Sequence, residues 1–408
     1  MNKDTERHVY RAPQRVQRTT ASTPRHIRRA PAGASQAGQT GQTASPRQTS
    51  PARQAAPARQ AATAPQTASA RQASRPRRKA NPVLRALAGL GVTLGMLLVF
   101  CLGASAVICL GPSPSARDLF VNTCMETSAL KFIPHIFFEE SRIEAIRAKN
   151  GVLDSGAVTD TSVDFTQSED ALPLDTIEIE DVSGPSFKGK MMIVHDPSRV
   201  KVASLDSFSP DVSGKRLLEY VEEAGAVAGI NGGGFQDLNG VGNGGMPLGL
   251  VIRDGKLLAG GLNSATSVIG FDNENHLVVG TMTGQEALDR GIRDALSFGP
   301  VFIVNGEPAE VTGSGGGLNP RTVIGQRADG AVLLLVIDGR QPQSLGATYQ
   351  DCIQVMQEWG AVNAANLDGG SSTQMIYQGE TVNVSASLYG PRNIPTAFVV
   401  DAAGEGEA

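Results

Sequence analysis

The chain reads Ala361-Val-Asn-Ala-Ala-Asn-Leu-Asp-Gly-Gly-Ser-Ser-Thr373 at the point that decides its fold class. A largely apolar run ends at Leu367, and the carboxylate of Asp368 follows directly. Two glycines and three hydroxyl residues come next, so a ligand has room to approach the backbone beside a charged side chain. The stretch therefore predicts a buried strand with a functional site at its carboxyl end.

Two further stretches of the chain share this arrangement. One is Ala228-Gly-Ile-Asn-Gly-Gly-Gly-Phe-Gln-Asp237. The other runs from Asn319-Pro-Arg-Thr-Val-Ile-Gly325 to Leu335-Val-Ile-Asp-Gly-Arg340. Each places Asn, Arg or Asp beside glycine at the end of an apolar segment, so both stretches are further sources of candidate site residues.

The surrounding sequence favours strands joined by hairpins. Leu250–Leu258 predicts a hairpin that turns at Asp254-Gly255, and Val323–Ile337 predicts one that turns at Asp329-Gly330. Val268–Val279 predicts a third hairpin with a looser turn. Helices are predicted over Ser213–Glu223, Gln285–Ala295 and Thr348–Trp359. We therefore expect an α+β domain over residues 172–401, with a mixed, hairpin-rich β-sheet core and a few flanking helices.

Charge divides the chain into a basic head and an acidic body. Residues 1–85 hold 15 Arg and 2 Lys against 2 acidic residues, a net charge of +15. The remaining residues hold 19 basic and 38 acidic side chains, a net charge of −19. Residues 1–82 are rich in Arg, Gln, Ala and Pro with almost no large apolar side chains, which predicts a disordered head. We interpret it as a solvated cytoplasmic tail rather than a nucleic-acid-binding arm.

A long uncharged segment follows the head. Ala86–Gly111 contains no charged residue and is long enough to cross a bilayer as a helix, which takes about 20 residues. We predict a transmembrane helix over residues 83–111, and its distance from the N-terminus favours an uncleaved anchor over a signal peptide. Arg75, Arg77, Arg78 and Lys79 precede it, so the positive-inside rule predicts a cytoplasmic N-terminus and an extracytoplasmic C-terminal domain.

The remaining segments are assigned by composition. Residues 112–171 predict a helical stalk that leads into a polar, acidic linker, and residues 402–408 predict a flexible tail. Cys101 and Cys109 lie in the predicted span, whereas Cys124 and Cys352 lie outside it. Two distant cysteines do not specify a disulfide framework or a zinc site, so a bridge between Cys124 and Cys352 stays open.

Asp338 and Asp368 are the candidate catalytic residues. Each follows an apolar run and precedes glycine. Paired carboxylates of this kind split a glycosidic bond, one as the acid and the other as the base or nucleophile. An Asp-Gly pair also makes an ordinary turn, and this is our interpretation of Asp254 and Asp329, which lie between short strands. The loops after Asp338 and Asp368 are polar and lead elsewhere, which favours a site.

Arginine and asparagine side chains beside these carboxylates are candidate substrate ligands. Arg321 and Arg340 carry guanidinium groups that match two phosphate oxygens, although a structural pair with an Asp is equally open for Arg340. Asn231 offers two donors and one acceptor, although an Asn in a turn is the alternative. The candidate substrate-binding residues are Asn231, Gly232, Arg321, Arg340, Gly369, Gly370 and Ser371.

The order of the motifs resembles the phosphodiester glycosidase family, which contains the mannose 6-phosphate uncovering enzyme and bacterial relatives. The resemblance covers about residues 190–400, and the matching motifs are Gly229–Phe235, Ser297–Pro300, Asn319–Gly325, Val336–Arg340 and Asn366–Thr373. It implies hydrolysis of a sugar-1-phosphodiester, which releases the sugar and leaves a phosphomonoester. It also implies Asn231, Arg321, Asp338 and Asp368 as site residues. Family members often carry two aromatic residues after the Asn-Gly pair, whereas this chain has Gly234-Phe235-Gln236, which predicts a smaller platform for the sugar.

These observations predict a membrane-anchored extracytoplasmic glycosidase that acts on a phosphorylated envelope or exopolysaccharide glycan. The alternative is a non-catalytic glycan-binding protein in envelope polymer assembly. No cofactor is predicted, but a divalent cation held by Asp338 and Asp368 stays open, although no His lies near the motifs. The expected partners are the glycan and the lipid bilayer at residues 83–111. No nucleic acid is expected, and the sequence does not indicate an oligomeric state.

Overall fold

The structure is a computed structural model that describes residues 81–166, 172–237, 242–387 and 390–403. These residues belong to one compact unit that begins at Lys79. The predicted disordered head and the predicted flexible tail lie outside the described residues, apart from two residues at each boundary.

The described part of the chain contains seven α-helices and nineteen strands. The helices are α1 (Pro82–Leu110), α2 (Pro114–Met125), α3 (Phe132–Phe137), α4 (Glu140–Ala148), α5 (Leu217–Glu223), α6 (Gly284–Asp289) and α7 (Tyr349–Glu358). The strands are β1 (Gly151–Val152), β2 (Ile177–Ser183), β3 (Lys188–Val194), β4 (Val200–Ser204), β5 (Ala226–Asn231), β6 (Val251–Arg253), β7 (Lys256–Ala259), β8 (Ala265–Asp272), β9 (Leu277–Thr283), β10 (Ile292–Leu296), β11 (Val301–Val304), β12 (Glu307–Pro308), β13 (Val311–Thr312), β14 (Arg321–Arg327), β15 (Val332–Ile337), β16 (Ala361–Leu367), β17 (Met375–Tyr377), β18 (Glu380–Thr381) and β19 (Thr396–Asp401).

Three sheets form the body of the fold. The largest has the strand order β12-β11-β16-β14-β15-β3-β2, and the two others have the orders β7-β6-β10-β8-β9 and β18-β17-β5-β19-β4. The predicted α+β class with hairpins is confirmed. The prediction of a mixed sheet is wrong, because every strand pair among the described residues is antiparallel. Tight turns join antiparallel strands, whereas a parallel pair needs a long crossover, and this domain has few helices to supply one.

The three sheets meet in one hydrophobic core. Val336 and Leu367 of the seven-stranded sheet pack in the same buried cluster as Phe271 of the second sheet and Phe398 of the third. The opposite face of the seven-stranded sheet is covered by α7, whose Met356 is fully buried against it. Both faces of this sheet are therefore buried, which explains the continuous apolar run Val332–Ile337.

The register of the seven-stranded sheet brings the predicted motifs to one edge. Thr322, near the start of β14, pairs with Val336 of β15 on one side and with Leu367 of β16 on the other. Since both neighbours are antiparallel to β14, β15 and β16 end at the same edge of the sheet. Asp338 and Asp368 come directly after these strands, so the two apolar runs before them are strands of one sheet.

The predicted hairpins are present, and the predicted helices are partly correct. Asp254 and Gly255 join β6 to β7 with φ values of 51° and 69°, as a tight two-residue turn requires. The helix predicted over residues 348–359 is α7, and α5 covers the second half of the helix predicted over residues 213–223. The helix predicted over residues 285–295 is wrong in its second half. Gly291, with φ of 72°, ends α6, and the backbone of β10 then pairs with β6 and β8.

The N-terminal helix α1 has an apolar surface that the rest of the described chain leaves uncovered. With 29 residues it is about 43 Å long, which exceeds the ~30 Å hydrocarbon core of a bilayer. Among the described residues it is the helix long and apolar enough to cross a membrane, and a signal sequence has the same properties. Its C-terminal end packs on α2 and α3. Val121, Ile143 and Ile146 join α2 to α4 in a small core of the stalk.

Candidate active site

A cleft of about 240 Å³ opens at the edge where β15 and β16 end. The end of α2, the loops that carry the predicted motifs, the start of α7 and the loop before β19 contribute to it. The residues that line it are Glu126, Ser128, Phe235, Asp237, Phe298, Asn319, Arg321, Arg340, Tyr349, Asn366, Asp368, Gly369, Gly370, Ser371, Ser372 and Arg392.

The backbone of Asp368 is held by the Asn-Gly pair at the end of β5. Asn231 Nδ2 donates to the carbonyl oxygen of Asp368 at 2.6 Å. The Asp368 N–H donates to the carbonyl oxygen of Gly232 at 3.1 Å. Asn231 is fully buried, and its Oδ1 accepts from Thr322 Oγ1 and from the N–H of Gln374. Two motifs from different sheets are therefore joined at the candidate catalytic residue.

The carboxyl group of Asp368 is protonated more readily than an ordinary aspartate. Its pKa is raised to about 6, mainly by burial and to a smaller extent by the neighbouring carboxylate of Asp237. The hydroxyl of Ser372, the guanidinium of Arg392 and the N–H of Gly369 oppose this shift. A carboxyl group with a pKa of about 6 changes its protonation close to neutral pH, which suits a proton donor or acceptor.

A second carboxylate in the cleft, Asp237, is held in its ionised form. Burial alone would raise the pKa of Asp237, but Arg392 and the N–H of Gly242 hold this pKa below its usual range. Arg392 Nη1 lies 2.5 Å from Asp237 Oδ2, and the guanidinium lies over the ring of Phe235 at 4.9 Å. The cleft therefore contains two carboxyl groups whose environments move their pKa values in opposite directions, which is the arrangement of an acid and a base.

The glycines after Asp368 are needed for close packing. A side chain at Gly369 would place its Cβ 2.7 Å from the carbonyl oxygen of Pro320. Gly370 has φ of 64°, and a Cβ there would lie 3.1 Å from a terminal nitrogen of Arg340. The guanidinium of Arg340 thus lies against the Gly370 backbone, where it also donates to Asn319 Oδ1 at 3.2 Å. Ser371, in the same loop as Gly370, faces Arg392, and its Oγ lies 3.5 Å from Arg392 Nη1.

Arg321 lies at the base of the cleft and is almost fully enclosed. Its Nε donates to the carbonyl oxygen of Ala347, its Nη2 donates to that of Gly317, and its guanidinium lies 4.2 Å from the centre of the Tyr349 ring. Its remaining contact is Glu126 Oε2 at 2.8 Å. Three of these contacts come from the domain itself, and the fourth comes from the stalk.

Glu126 brings a carboxylate from the end of α2 into the cleft. Besides Arg321, it accepts from the N–H of Gly317 at 2.9 Å and from Asn319 Nδ2 at 2.7 Å. The carbonyl oxygen of Glu126 also accepts from Arg340 Nη2 at 3.3 Å. A backbone N–H, an amide and a guanidinium that converge on one carboxylate form an anion-binding arrangement, and here the stalk supplies the anion.

Asp338 lies close to the cleft but does not contribute to its wall. Its Oδ1 accepts from Asn383 Nδ2 at 3.1 Å and from the N–H of Val384 at 2.9 Å. Burial raises its pKa, and these two donors oppose the shift. Asp368 follows Leu367 and lies level with Ile337 in the register of the sheet. Asp338 comes one position after Ile337, and successive residues of a strand point to opposite faces. Asp338 and Asp368 therefore belong to opposite faces of the sheet. Its pairing with Asp368 stays a prediction.

The structure brings together most, but not all, of the predicted site residues. Asp368, Arg321, Arg340, Gly369, Gly370 and Ser371 line the cleft. Asn231 and Gly232 lie behind it and position Asp368. Asp237, Arg392, Glu126 and Phe298 also line the cleft, although the sequence did not single them out. Asp237 and Phe298 do stand within quoted motifs, whereas nothing in the local sequence of Glu126 or Arg392 indicates a site.

Among the described residues, one group of acidic and histidine side chains has the spacing of cation ligands. It consists of Asp272, Glu274 and His276 in the turn between β8 and β9. Asp272 Oδ1 accepts from the N–H groups of the two other residues, so this carboxylate closes the turn. The group lies outside the cleft lining. All four cysteines are free, including Cys124 and Cys352.

Comparison with known proteins finds a family that the domain resembles. Residues 224–401 match the family model for phosphodiester glycosidases. The resemblance predicted from the motifs is thereby confirmed.

The relatives are distant. An uncharacterized SPbeta prophage-derived protein of Bacillus subtilis is 30% identical over 178 residues, which cover 41% of this chain and 27% of that protein. The mouse N-acetylglucosamine-1-phosphodiester alpha-N-acetylglucosaminidase is 26% identical over 220 residues, which cover 48% of this chain and 41% of the mouse protein. The chain thus spans between a quarter and two fifths of the length of these curated relatives.

Solved structures of similar chains are also known. The catalytic domain of the zebrafish enzyme of the same name, auto-inhibited by its pro-peptide, is 20% identical with a TM-score of 0.47, and the match covers 60% of this chain and 88% of that chain. A putative exported protein of Burkholderia pseudomallei is 17% identical with a TM-score of 0.41, and the match covers 53% of this chain and 74% of that chain.

Proposed function

We propose that this protein is a membrane-anchored extracytoplasmic glycosidase that hydrolyses a sugar-1-phosphodiester in an envelope or exopolysaccharide glycan. The observation that carries the proposal is the pair of carboxyl groups in one cleft, with Asp368 neutral up to a pKa of about 6 and Asp237 kept ionised by Arg392. Hydrolysis of a glycosidic bond needs two such groups in different protonation states.

In the proposed reaction, water attacks the anomeric carbon and the bond between that carbon and the bridging phosphate oxygen breaks. The products are the free sugar and a phosphomonoester. Asp237, as the ionised group, is placed to take the proton of the attacking water or to stabilise positive charge at the sugar ring. Asp368, as the group that is neutral below a pKa of about 6, is placed to protonate the departing phosphate oxygen.

The charged side chains of the cleft suit an anionic substrate. Arg340 is exposed at the mouth, and only one of its terminal nitrogens is engaged by described protein groups. Arg321 is less accessible, because its Nε and Nη2 bind two main-chain carbonyls and Glu126, and its guanidinium packs on the Tyr349 ring. We therefore propose Arg340 as the first contact of the phosphodiester, with Arg321 reached when Glu126 moves aside.

The proposed membrane location rests on α1 and the basic residues before it. Protease added to intact cells should then remove the C-terminal domain and spare the N-terminal head. A full-length protein that is found soluble in the cytoplasm would contradict this location.

The second candidate is a non-catalytic glycan-binding protein that uses the same cleft. The full-length protein in detergent, assayed on soluble sugar-1-phosphodiesters, separates the two. Equimolar release of free sugar and phosphomonoester, repeated after treatment with a chelator, supports the metal-independent glycosidase. Binding of these compounds without turnover would support the glycan-binding protein, and activity lost only in chelator would support a metal site.

A further inference from the structure

The side chain of Asn366 has an oxygen for which the described protein supplies no partner. Asn366 lies on β16 two residues before Asp368, and alternate residues of a strand point to the same face. Both line the cleft. Asn366 is 1% exposed, and its Oδ1 is buried without a hydrogen-bond donor among the described residues.

The orientation of this amide is fixed by its neighbour. Asn366 Nδ2 donates to the carbonyl oxygen of Gly299 at 2.9 Å, and the Asn366 N–H donates to that of Pro300 at 3.0 Å. Rotating the amide would turn Oδ1 towards the carbonyl oxygen of Gly299 and place two acceptors against each other. The amide oxygen is therefore held in the unpartnered position, where it costs free energy until a donor reaches it.

The chemistry of the substrate indicates which part of it carries that donor. A phosphodiester at neutral pH has oxygen acceptors and no hydrogen to donate, so it gains nothing from an amide oxygen. A sugar ring carries hydroxyl groups or an acylamino N–H, which are donors. Phe298, next to Gly299, lines the same cleft and offers an aromatic face for the apolar side of a ring.

We infer that Asn366 is a specificity-determining residue whose Oδ1 accepts a hydrogen bond from a hydroxyl or acylamino group of the substrate's sugar ring. This inference rests on the proposed function. The anionic group of the substrate then lies towards Arg340, and the sugar lies between Phe298 and Asn366. Satisfying the buried oxygen favours sugars with a donor at one particular ring position over sugars that lack it.

The experiment pairs a protein variant with substrate analogues. Full-length wild-type protein and Asn366→Leu, which has a similar volume and no acceptor, are assayed on methyl phosphodiesters of glucose, of N-acetylglucosamine and of each deoxy analogue that lacks one hydroxyl. We expect wild-type kcat/KM to fall about 10-fold or more for one analogue. The kcat/KM of Asn366→Leu on the parent sugar should already be lower than that of the wild type by the same factor. Its kcat/KM on the analogue should be no lower than on the parent sugar. The analogue concerned tells whether a hydroxyl or an acylamino group is the donor.

Controls separate this role from a structural one. Ser267 also has a buried side-chain oxygen without a partner, but it lines a second cavity instead of the cleft. Ser267→Ala should therefore leave the discrimination among sugars unchanged. Asn366→Asp keeps an acceptor oxygen and should retain more of the discrimination than Asn366→Leu. Asn366→Ala replaces the leucine variant if the latter does not fold.

A folded Asn366→Leu protein that discriminates among the analogues as the wild type does would overturn the inference. If the wild type hydrolyses none of them, the proposed function fails separately. The inference is then tested by calorimetric titration with glucose 1-phosphate and N-acetylglucosamine 1-phosphate. Weaker binding to Asn366→Leu than to the wild type supports it, and equal binding or no binding to both overturns it.

Discussion

Asn231 Nδ2 donates a hydrogen bond of 2.6 Å to the main-chain carbonyl oxygen of Asp368. The two residues lie 137 positions apart and belong to different sheets. Asn231 ends β5, and its side chain is fully buried between β14 and the segment after Asp368. Asn231 therefore acts on Asp368 through the backbone and does not itself line the cleft.

Replacement of Asn231 by Ala should reduce both stability and turnover. It leaves the Gln374 N–H and the Asp368 carbonyl oxygen without their side-chain partner in the core, at a cost of about 2–4 kcal/mol. Because Asn231 positions Asp368 and does not line the cleft, kcat should fall while KM changes little. Chemical denaturation and steady-state kinetics measure the two effects.

The matched control is Asn273→Ala, in the exposed turn between β8 and β9. It should change the free energy of unfolding by no more than about 0.5 kcal/mol. Wild-type kcat in a destabilised but folded Asn231→Ala protein would argue against the positioning role.

Replacement of Asp237, Asp338 and Asp368 by Asn distinguishes two possible catalytic pairs. Asp368 is paired with Asp237 in one and with Asp338 in the other. The cleft geometry predicts that Asp237→Asn and Asp368→Asn each lower kcat/KM at least about 100-fold. The sequence alone predicts the same loss for Asp338→Asn. Asp338 accepts two hydrogen bonds from residues 383 and 384, which lie outside the cleft lining. If Asp237 and Asp368 are the catalytic pair, Asp338→Asn should mainly lower the stability of the protein.

Kinetics and circular dichroism of the three variants decide between these pairs. A loss of about 100-fold in well-folded Asp338→Asn, with full activity in Asp237→Asn, would establish the pair predicted from the sequence.

The burial of Asp368 predicts a pH dependence of stability. Its pKa rises from 3.8 in the unfolded chain to about 6 in the folded protein, so between these values the folded state binds a proton that the unfolded state has lost. Stability from this group is full below pH 3.8 and is lost as pH rises to about 6. Asp368→Asn has no such loss, so relative to the wild type it should gain about 2.5 kcal/mol between pH 4 and pH 7.5.

Urea denaturation of both proteins at the two pH values measures this difference. The pH profile of wild-type kcat/KM should also decline above a pH of about 6, where Asp368 ionises. If the difference in the free energy of unfolding between Asp368→Asn and the wild type does not change with pH, Asp368 is ionised throughout the range.

Glu126 predicts competition between the stalk and anions. Glu126→Gln removes the charge and keeps the shape, so the donors of Gly317, Asn319 and Arg321 become available to an anion. Inorganic phosphate should then bind about 10-fold more tightly than to the wild type, because one opposing charge is removed. Glu144→Gln, on the exposed face of α4, is the control and should bind phosphate as the wild type does.

Isothermal titration of phosphate into the three proteins measures the effect. Weaker phosphate binding in folded Glu126→Gln would mean that the carboxylate supports the position of Arg321 instead of competing with a ligand.

Local sequence patterns predicted the strands and the edge where they end. Val332–Ile337 is apolar throughout because both faces of its sheet are buried, and such a run is visible without a structure. The residues after it were equally visible, because Asp-Gly at the end of an apolar run is a local signal. This local signal accounts for the prediction of Asp368, its glycines and both arginines, all of which line the cleft.

The remaining cleft residues depend on contacts over long sequence distances. Arg392 meets Asp237 across 155 positions, and Glu126 meets Arg321 across 195. Periodicity carries no information on such pairs. The role of Asn231 was predicted as substrate binding, because its residue type suits a ligand, but only the register between sheets shows that it is buried behind Asp368.

We propose that Asp368 carries out acid–base chemistry on a sugar-1-phosphodiester. The most direct measurement is the release of free sugar and phosphomonoester from a soluble sugar-1-phosphodiester by full-length protein and by Asp368→Asn. We expect equimolar products from the wild type and a rate at least about 100-fold lower from the folded variant. Equal rates from the two proteins, or release of sugar phosphate in place of free sugar, would contradict it.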